Sequence, residues 1–259
     1  MKILFDSNVW RHIASPDHFP NDPSITSLRK IRDSILNTEI IPYISETVFT
    51  LETIERKKRK EFISKYRPGI VFTEKIDNQS TTTRSIIQSD SSKHYGNHPI
   101  LAEHLNDAIS IGFRIVRFPR LAGIKNPEIE KLRYKFTGDN LKNYHEKLFE
   151  VGTRIQSIGA GFEQIKILGE KYDPNWIEGI DKAPDEEWGY IANAMAEWAD
   201  GDSVAISIAL RCEFMCTRDI AKKSGEKSVF GETNLKLLKS EFGFETITPD
   251  KLASMLKIR

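Results

Sequence analysis

The sequence predicts an α/β protein, in which a central parallel sheet is flanked by helices and carries a mainly helical insertion. Two short apolar runs, 3–5 and 214–216, each lead to an acid, as buried strands ending at a binding edge do. Apolar residues recur at helical spacing in 25–36. A long stretch between the two runs, 77–188, contains several more helical segments.

The first part of the predicted core, 1–76, alternates strands with helices. Short apolar or β-branched runs indicate strands, and apolar residues three and four apart indicate helices. The predicted elements are strands over 2–5 and 39–44, helices over 24–36 and 46–66, and a strand or extended arm over 69–76.

The middle part, 77–188, is predicted to be an insertion of roughly a hundred residues, the size of a small domain. It opens with a polar segment rich in Ser, Thr and Gln, which favours a mobile loop. The predicted elements are this loop over 77–93 and helices over 99–113, 139–158 and 162–172.

The second part of the predicted core is 189–259. A helix over 188–199 is expected to break at Gly201, so that Asp202 caps the next apolar helical run. The elements predicted after the strand near residue 215 are a helix over 234–241, a strand over 244–248 and a helix from residue 249.

Composition narrows the protein class. The chain has 259 residues and a formal net charge of +1, so any contact with nucleic acid has to use local basic patches. No signal peptide and no apolar stretch of membrane-spanning length is visible, and the two cysteines are expected to be reduced. We therefore expect a cytoplasmic protein without a membrane partner.

Acids stand at the ends of three apolar segments. Asp6 follows the first run, Asp219 follows the run near residue 215, and Asp202 opens a run of helical length. Acids at the carboxyl ends of parallel strands can hold a hard cation such as Mg²⁺ or Mn²⁺. Each acid also has a simpler interpretation, since Asp is common in turns and at helix N-termini.

These acids and their neighbours resemble the pattern of PIN-domain ribonucleases. That family has Asp-x-Asn after the first strand, a Glu on an early helix, a later Asp before Ile-Ala-rich text, and Thr-x-Asp after a strand. Asp6-Ser7-Asn8, Glu52, Asp202 and Thr217-Arg218-Asp219 match these elements in order. The resemblance covers roughly the first third and the last quarter of the chain, whereas the middle departs from it.

The resemblance implies a metal-dependent endoribonuclease that leaves 5′-phosphate and 3′-hydroxyl ends. The four acids, Asp6, Glu52, Asp202 and Asp219, would hold Mg²⁺ or Mn²⁺, and Glu55 is an alternative to Glu52. Many small members are toxins of toxin–antitoxin pairs. The expected partners are therefore an RNA substrate, an antitoxin-like protein inhibitor and, as a further option, a second copy of the chain in a homodimer.

Polar and basic residues around the acids complete the predicted site. Asn8 and Thr217 are expected to hydrogen-bond the ligand carboxylates and fix their orientation. Cations near the acids can contact RNA phosphates, although basic residues are more often simply solvated. The candidates for substrate contact are Arg11, Arg218, Arg56 and Lys57.

Two other functions remain open from the sequence. One is a structure-selective DNA nuclease of the flap-endonuclease type, which would use the same acids. The other is a non-catalytic interaction scaffold, in which the insertion forms the binding surface. The nuclease alternative differs in substrate, and the scaffold requires that the acids lie apart in space or that they bind no metal.

Overall fold

The computed structural model describes residues 1–48, 51, 54–65, 69–77, 80–88, 99–118, 133–136, 139–219 and 227–256. The strands in this part of the chain are β1 (Lys2–Phe5), β2 (Ile41–Ser45), β3 (Gly69–Asp77), β4 (Ser80–Gln88), β5 (Arg114–Val116), β6 (Phe214–Cys216) and β7 (Thr246–Ile247). The helices are α1 (Ser7–Ala14), α2 (Ile25–Leu36), α3 (Arg59–Lys65), α4 (Pro99–Ser110), α5 (Asn140–Ser157), α6 (Phe162–Glu170), α7 (Trp176–Lys182), α8 (Trp188–Ala209), α9 (Glu232–Phe242) and α10 (Pro249–Met255). Short 3₁₀ turns lie at Pro16–His18, Arg56–Lys58 and Asp185–Glu187.

Five strands form one parallel sheet in the order β5-β2-β1-β6-β7, which confirms the predicted α/β class. The chain first moves outward on one side of β1, through β2 to β5, and then continues on the other side with β6 and β7. The order therefore reverses between β1 and β6. In open α/β sheets, ligands bind outside the carboxyl ends of the strands at this reversal.

Strand β1 is the centre of the core, because all its side chains after Lys2 are fully buried. Ile3 and Phe5 pack on one face of the sheet with α1, α2, α4 and α10. Leu4 packs on the other face with α5, α8 and α9. A third apolar cluster joins α3, α6 and α7 to the first half of α8.

Helix α8 runs without interruption from Trp188 to Ala209, so the predicted break at Gly201 is wrong. A glycine inside a helix costs about 1 kcal/mol relative to alanine. Here it permits a close approach, since a Cβ at Gly201 would lie 2.8 Å from the Cα of Gly161. The tertiary contact explains the glycine, and Asp202 lies in the middle of the helix.

Two other predicted elements differ from the structure. The single helix expected over 46–66 is interrupted at Glu55, whose ψ of 130° is not helical, and helical turns resume at Arg56. The polar segment expected to be a loop over 77–93 contains β4, which pairs antiparallel with β3 in a hairpin. Its threonines and isoleucines favour a strand, because β-branched side chains fit a pleated surface.

The predicted helices over 99–113, 139–158 and 162–172 are confirmed as α4, α5 and α6, with their ends moved by a few residues. The segment 77–188 also contributes β5 to the central sheet, where Ile115 is buried beside Ile44. No helix among the described residues has both the length and the apolar character needed to cross a membrane.

Candidate functional site

Asp6 joins the central strand to the first helix. Its backbone N–H donates to the carbonyl of Cys216 at 3.0 Å, which extends the pairing of β1 with β6 by one residue. Its side chain caps α1, because Oδ1 accepts from the backbone N–H of Ser7 at 2.6 Å. The residue is only 2% exposed. Asp6 therefore has a structural role as a helix cap in addition to its place at the end of the strand.

Four residues that follow β1 and β6 form one hydrogen-bonded cluster. Thr217 Oγ1 donates to Asp6 Oδ2 at 2.6 Å and accepts from the backbone N–H of Asp219 at 3.0 Å. Asn8 Nδ2 donates to Asp219 Oδ2 at 3.0 Å. Asn8 and Thr217, predicted to orient the carboxylates, thus each contact one of the two acids. We call Asp6, Asn8, Thr217 and Asp219 the acidic cluster.

The carboxyl group of Asp6 is held in an unfavourable environment for its charge. Burial raises the pKa of Asp6 from 3.8 to about 6, although hydrogen bonds from Thr217 and Ser7 oppose this rise. The nearby charge of Asp219 adds to it. Carboxylates that repel each other in this way are stabilised by a cation placed between them.

Asp202 lies at the same edge of the sheet. Its Oδ2 accepts from Thr47 Oγ1 at 3.4 Å and from Trp198 Nε1 at 3.1 Å. Thr47 follows the carboxyl end of β2 by two residues, so Asp202 is beside the strand next to β1. The alternation of side chains along β1 and β6 directs Asp6 and Thr217 toward the sheet face that α8 covers. Asp202 is therefore on their face, although it does not cap a helix as predicted.

The described residues do not contain a complete carboxylate set for a metal ion. Among them, no three Asp, Glu, His or Cys side chains lie close enough together to hold one. Glu52, the fourth predicted ligand, lies outside the described residues. Glu55, its predicted alternative, is exposed and forms an ion pair with Lys58 at 3.2 Å.

Two of the predicted substrate-binding residues lie beside the acidic cluster. Arg218 precedes Asp219, and its backbone N–H donates to Asn8 Oδ1 at 3.2 Å. Its guanidinium donates to Asp22 Oδ2 at 2.6 Å. Arg11 is half-buried on α1, one turn beyond Asn8. The position of Asp22, in turn-rich text at 21–23, gave no sign of this role in the sequence.

The other two candidates lie near the start of α8. Arg56 donates to Asn193 Oδ1 at 2.5 Å, and the Lys57 ammonium is 5.9 Å from the centre of the Trp188 ring. Asn193 precedes Asp202 by nine residues in one helix, which corresponds to about 13 Å along its axis. These two cations are thus farther from the acids than Arg218, whose own backbone belongs to the edge.

Another buried carboxylate at this edge, that of Glu46, forms an ion pair with Arg133. Glu46 directly follows β2, is 2% exposed, and accepts two hydrogen bonds from Arg133, at 2.8 and 2.6 Å. Fork-shaped pairs of this kind are strong because both bonds are charge-assisted. Arg133 therefore anchors its segment to the sheet edge.

No protein-family model matches this chain, and no curated protein and no solved structure matches it either. The fold and the site define an α/β protein with an acidic cluster at the strand-order reversal of a parallel sheet. Any more particular function has to be argued from the chemistry of that cluster.

Proposed function

We propose that the protein is a metal-dependent endoribonuclease in which Asp6 and Asp219 hold Mg²⁺ or Mn²⁺ directly, while Asp202 and Glu52 act on the waters that the ion keeps. The observation that carries the proposal is the contact between the segments after β1 and β6. Thr217 and Asn8 bring Asp6 and Asp219 together at the point of the sheet where ligands of α/β proteins bind. The sequence resemblance to PIN-domain ribonucleases motivates the reaction type.

The donor chemistry of the acidic cluster fits such a cation. Mg²⁺ prefers oxygen ligands and is usually held by one or two carboxylates while it keeps several waters. Asp6 Oδ1 accepts from the backbone N–H of Ser7 and Oδ2 accepts from Thr217, and a carboxylate has about four acceptor positions in all. Asp219 is exposed, which leaves room for coordinated water and for a substrate.

The residues around the two acids would orient the carboxylates and bind the RNA backbone. Thr217 and Asn8 donate to the carboxylates of Asp6 and Asp219 and thereby restrict their rotamers. Arg218 directly precedes Asp219, and its guanidinium, held by Asp22, is the proposed contact for a phosphate of the RNA backbone. A divalent cation held there would polarise a phosphoryl oxygen and make the attacking water more acidic.

The test is cleavage of matched single-stranded RNA, single-stranded DNA and branched DNA with and without Mg²⁺ or Mn²⁺. Wild-type protein should cut RNA only with metal. Asp6→Asn and Asp219→Asn should each lower the rate about 100-fold or more, because loss of even an orienting partner of a metal ligand costs 10- to 100-fold. Glu55→Gln is the matched control, since Glu55 is exposed and ion-paired with Lys58.

The outcomes separate the three functions that the sequence left open. Metal-dependent cleavage of branched DNA in preference to RNA would favour the flap-endonuclease type. The interaction scaffold would be favoured by two results together. The folded wild-type protein would cut none of the three substrates, and its heat of Mn²⁺ binding would equal that of Asp6→Asn.

A further inference from the structure

Asp22 connects three separate segments next to the acidic cluster. Its side chain is 2% exposed, and Oδ2 accepts from the Arg218 guanidinium at 2.6 Å and contacts His12 Nδ1 at 2.5 Å. Oδ1 accepts from the backbone N–H of Ser24 at 2.8 Å. One buried carboxylate thus ties α1, the start of α2 and the segment after β6 together.

The connection reaches the acidic cluster through Arg218. The backbone of Arg218 is held by Asn8, whose amide also holds Asp219. The Arg218 side chain is 30% exposed, so it remains accessible from solvent while Asp22 accepts from its guanidinium. The His12 ring stacks on Phe19 at 3.8 Å between ring centres and closes the other side of Asp22.

An arginine side chain held by a carboxylate is preorganised to bind an anion. A surface arginine has to give up rotamer freedom when it binds phosphate, whereas one already fixed by a carboxylate has less to lose. Stability alone is a weak reason for the arrangement, because well-packed apolar side chains stabilise a protein as well as a buried ion pair does.

We propose that Asp22 is a positioning residue that aims the Arg218 guanidinium at a phosphate group beside Asp219. The inference rests on the proposed function in that this phosphate would belong to an RNA backbone. Asp22 itself touches neither the phosphate nor the reacting atoms. Its effect is on substrate affinity, through Arg218.

The direct test follows the side-chain NMR signals of Arg218 during titration with inorganic phosphate. Wild-type protein should show a saturable shift of the Arg218 signals. Asp22→Asn should weaken phosphate binding roughly tenfold, the effect of about one charge-assisted hydrogen bond. Asp22→Glu, which keeps the charge, should recover part of the loss. Asp17→Asn is the matched control, because Asp17 pairs with Arg29 on the surface nearby.

Arg218→Lys keeps the proposal testable even where Asp22→Asn folds poorly. This variant keeps the charge but loses the fork that Asp22 holds, so phosphate binding should weaken. Adding Asp22→Glu to Arg218→Lys should then have little further effect. Unchanged phosphate affinity in Arg218→Lys, or wild-type Arg218 signals that do not respond to phosphate, would overturn the proposal.

RNA cleavage distinguishes this inference from the proposed function. In Asp22→Glu, KM should rise severalfold while kcat stays within about twofold, since an interaction made equally with substrate and transition state affects KM alone. Phosphate binding at Arg218 without RNA cleavage would contradict the nuclease proposal and leave Asp22 as a positioning residue. Normal RNA cleavage, with no effect of Asp22 substitutions on KM or on phosphate affinity, would contradict the positioning role of Asp22 and leave the nuclease proposal standing.

Discussion

Two buried aspartates, Asp6 and Asp22, lie on either side of the same tripeptide, Thr217-Arg218-Asp219, and differ in their electrostatics. Asp6 accepts from the hydroxyl of Thr217 and the backbone of Ser7, which are neutral donors. Asp22 accepts from the Arg218 guanidinium. Burial raises the pKa of Asp6 to about 6. Burial acts in the same direction on Asp22, but hydrogen bonds from Arg218 and Ser24 hold the pKa of that group below its usual value.

Burial therefore does not decide the charge state of a carboxyl group at this edge; the charge of its donors does. Asp22 has a cation within the protein and stays ionised. Ionised Asp6 instead faces another carboxylate, and under the proposed function a divalent cation from solution would balance its charge. Asp22 thus has a cation from the protein itself, whereas the proposal gives Asp6 a cation from solution.

The largest expected effect comes from removing the paired aspartate. Asp22→Ala should destabilise the protein by roughly 2–4 kcal/mol, because it leaves the partly buried Arg218 guanidinium without its carboxylate. Urea unfolding at pH 7 measures the change. Asp17→Ala, which removes an exposed ion pair of the same loop, should have little effect. An equal change in the free energy of unfolding for Asp22→Ala and Asp17→Ala would show that the buried pair of Asp22 with Arg218 contributes no more than a surface ion pair.

Asp6→Asn should instead raise the free energy of unfolding of the metal-free protein at pH 7. The folded-state pKa of Asp6 is raised, so the folded state binds more protons than the unfolded chain between pH 3.8 and about 6, and stability falls as pH rises through this range. Removing the charge should stabilise the protein by about 1–2 kcal/mol, less than the full pKa difference implies because one hydrogen bond is lost. Unfolding measured from pH 4 to 7 should show a flatter profile, and Mg²⁺ should stabilise only the wild type. An unchanged profile would show that Asp6 is ionised throughout.

Thr217→Val should cost about 1 kcal/mol at pH 7, since it removes the hydroxyl that donates to Asp6. The same bond lowers the pKa of Asp6, so its loss should raise that pKa further. A carboxyl ¹³C NMR titration measures the shift. Thr217→Ser keeps the hydroxyl and should remain close to wild type, whereas a lower pKa of Asp6 in the valine variant would contradict the assignment.

The smallest effect concerns His12. Burial lowers the pKa of His12, although Asp22 opposes this, so the neutral imidazole is preferred in the folded state. A lowered pKa means that this contribution to stability is present above pH 6.5 and is lost as pH falls through the folded-state value. In an Asp6→Asn background, His12→Asn should make stability depend less steeply on pH below 6.5, because it removes a titrating group. Identical slopes would show that His12 is not a titrating group in this range.

The sequence predicts the parts of this edge that depend on local pattern. Asp6, Asn8, Thr217 and Asp219 occur in short segments that follow apolar strands, and parallel strands bring their carboxyl ends to one edge. The contact of Asp202 with the end of β2 was not predictable in the same way. It depends on a helix that continues through Gly201, and only the close approach of Gly161 explains the glycine.

Asp22 shows why other parts of the site cannot be derived from sequence. It lies in a short turn, 196 residues from Arg218, and nothing in the intervening text links the two. Hairpin β3–β4 was missed for a different reason, since the serines and threonines in 80–85 suggest a loop by composition, whereas the β-branched threonines favour a strand. A tertiary contact decides the first case and cross-strand pairing the second.

The pairing of the two ends of the chain has a consequence during synthesis. The bond between Asn8 and Asp219 spans 211 residues, and β1 pairs with β6 over a similar separation. At the usual rates of translation, of about 5–20 residues per second, the first half of the acidic cluster waits roughly 10–40 s for the second half to leave the ribosome. A nascent chain thus carries Asp6 long before its partner exists. If the protein cuts RNA, a ribosome translating its own message holds only an incomplete acidic cluster until residue 219 has emerged.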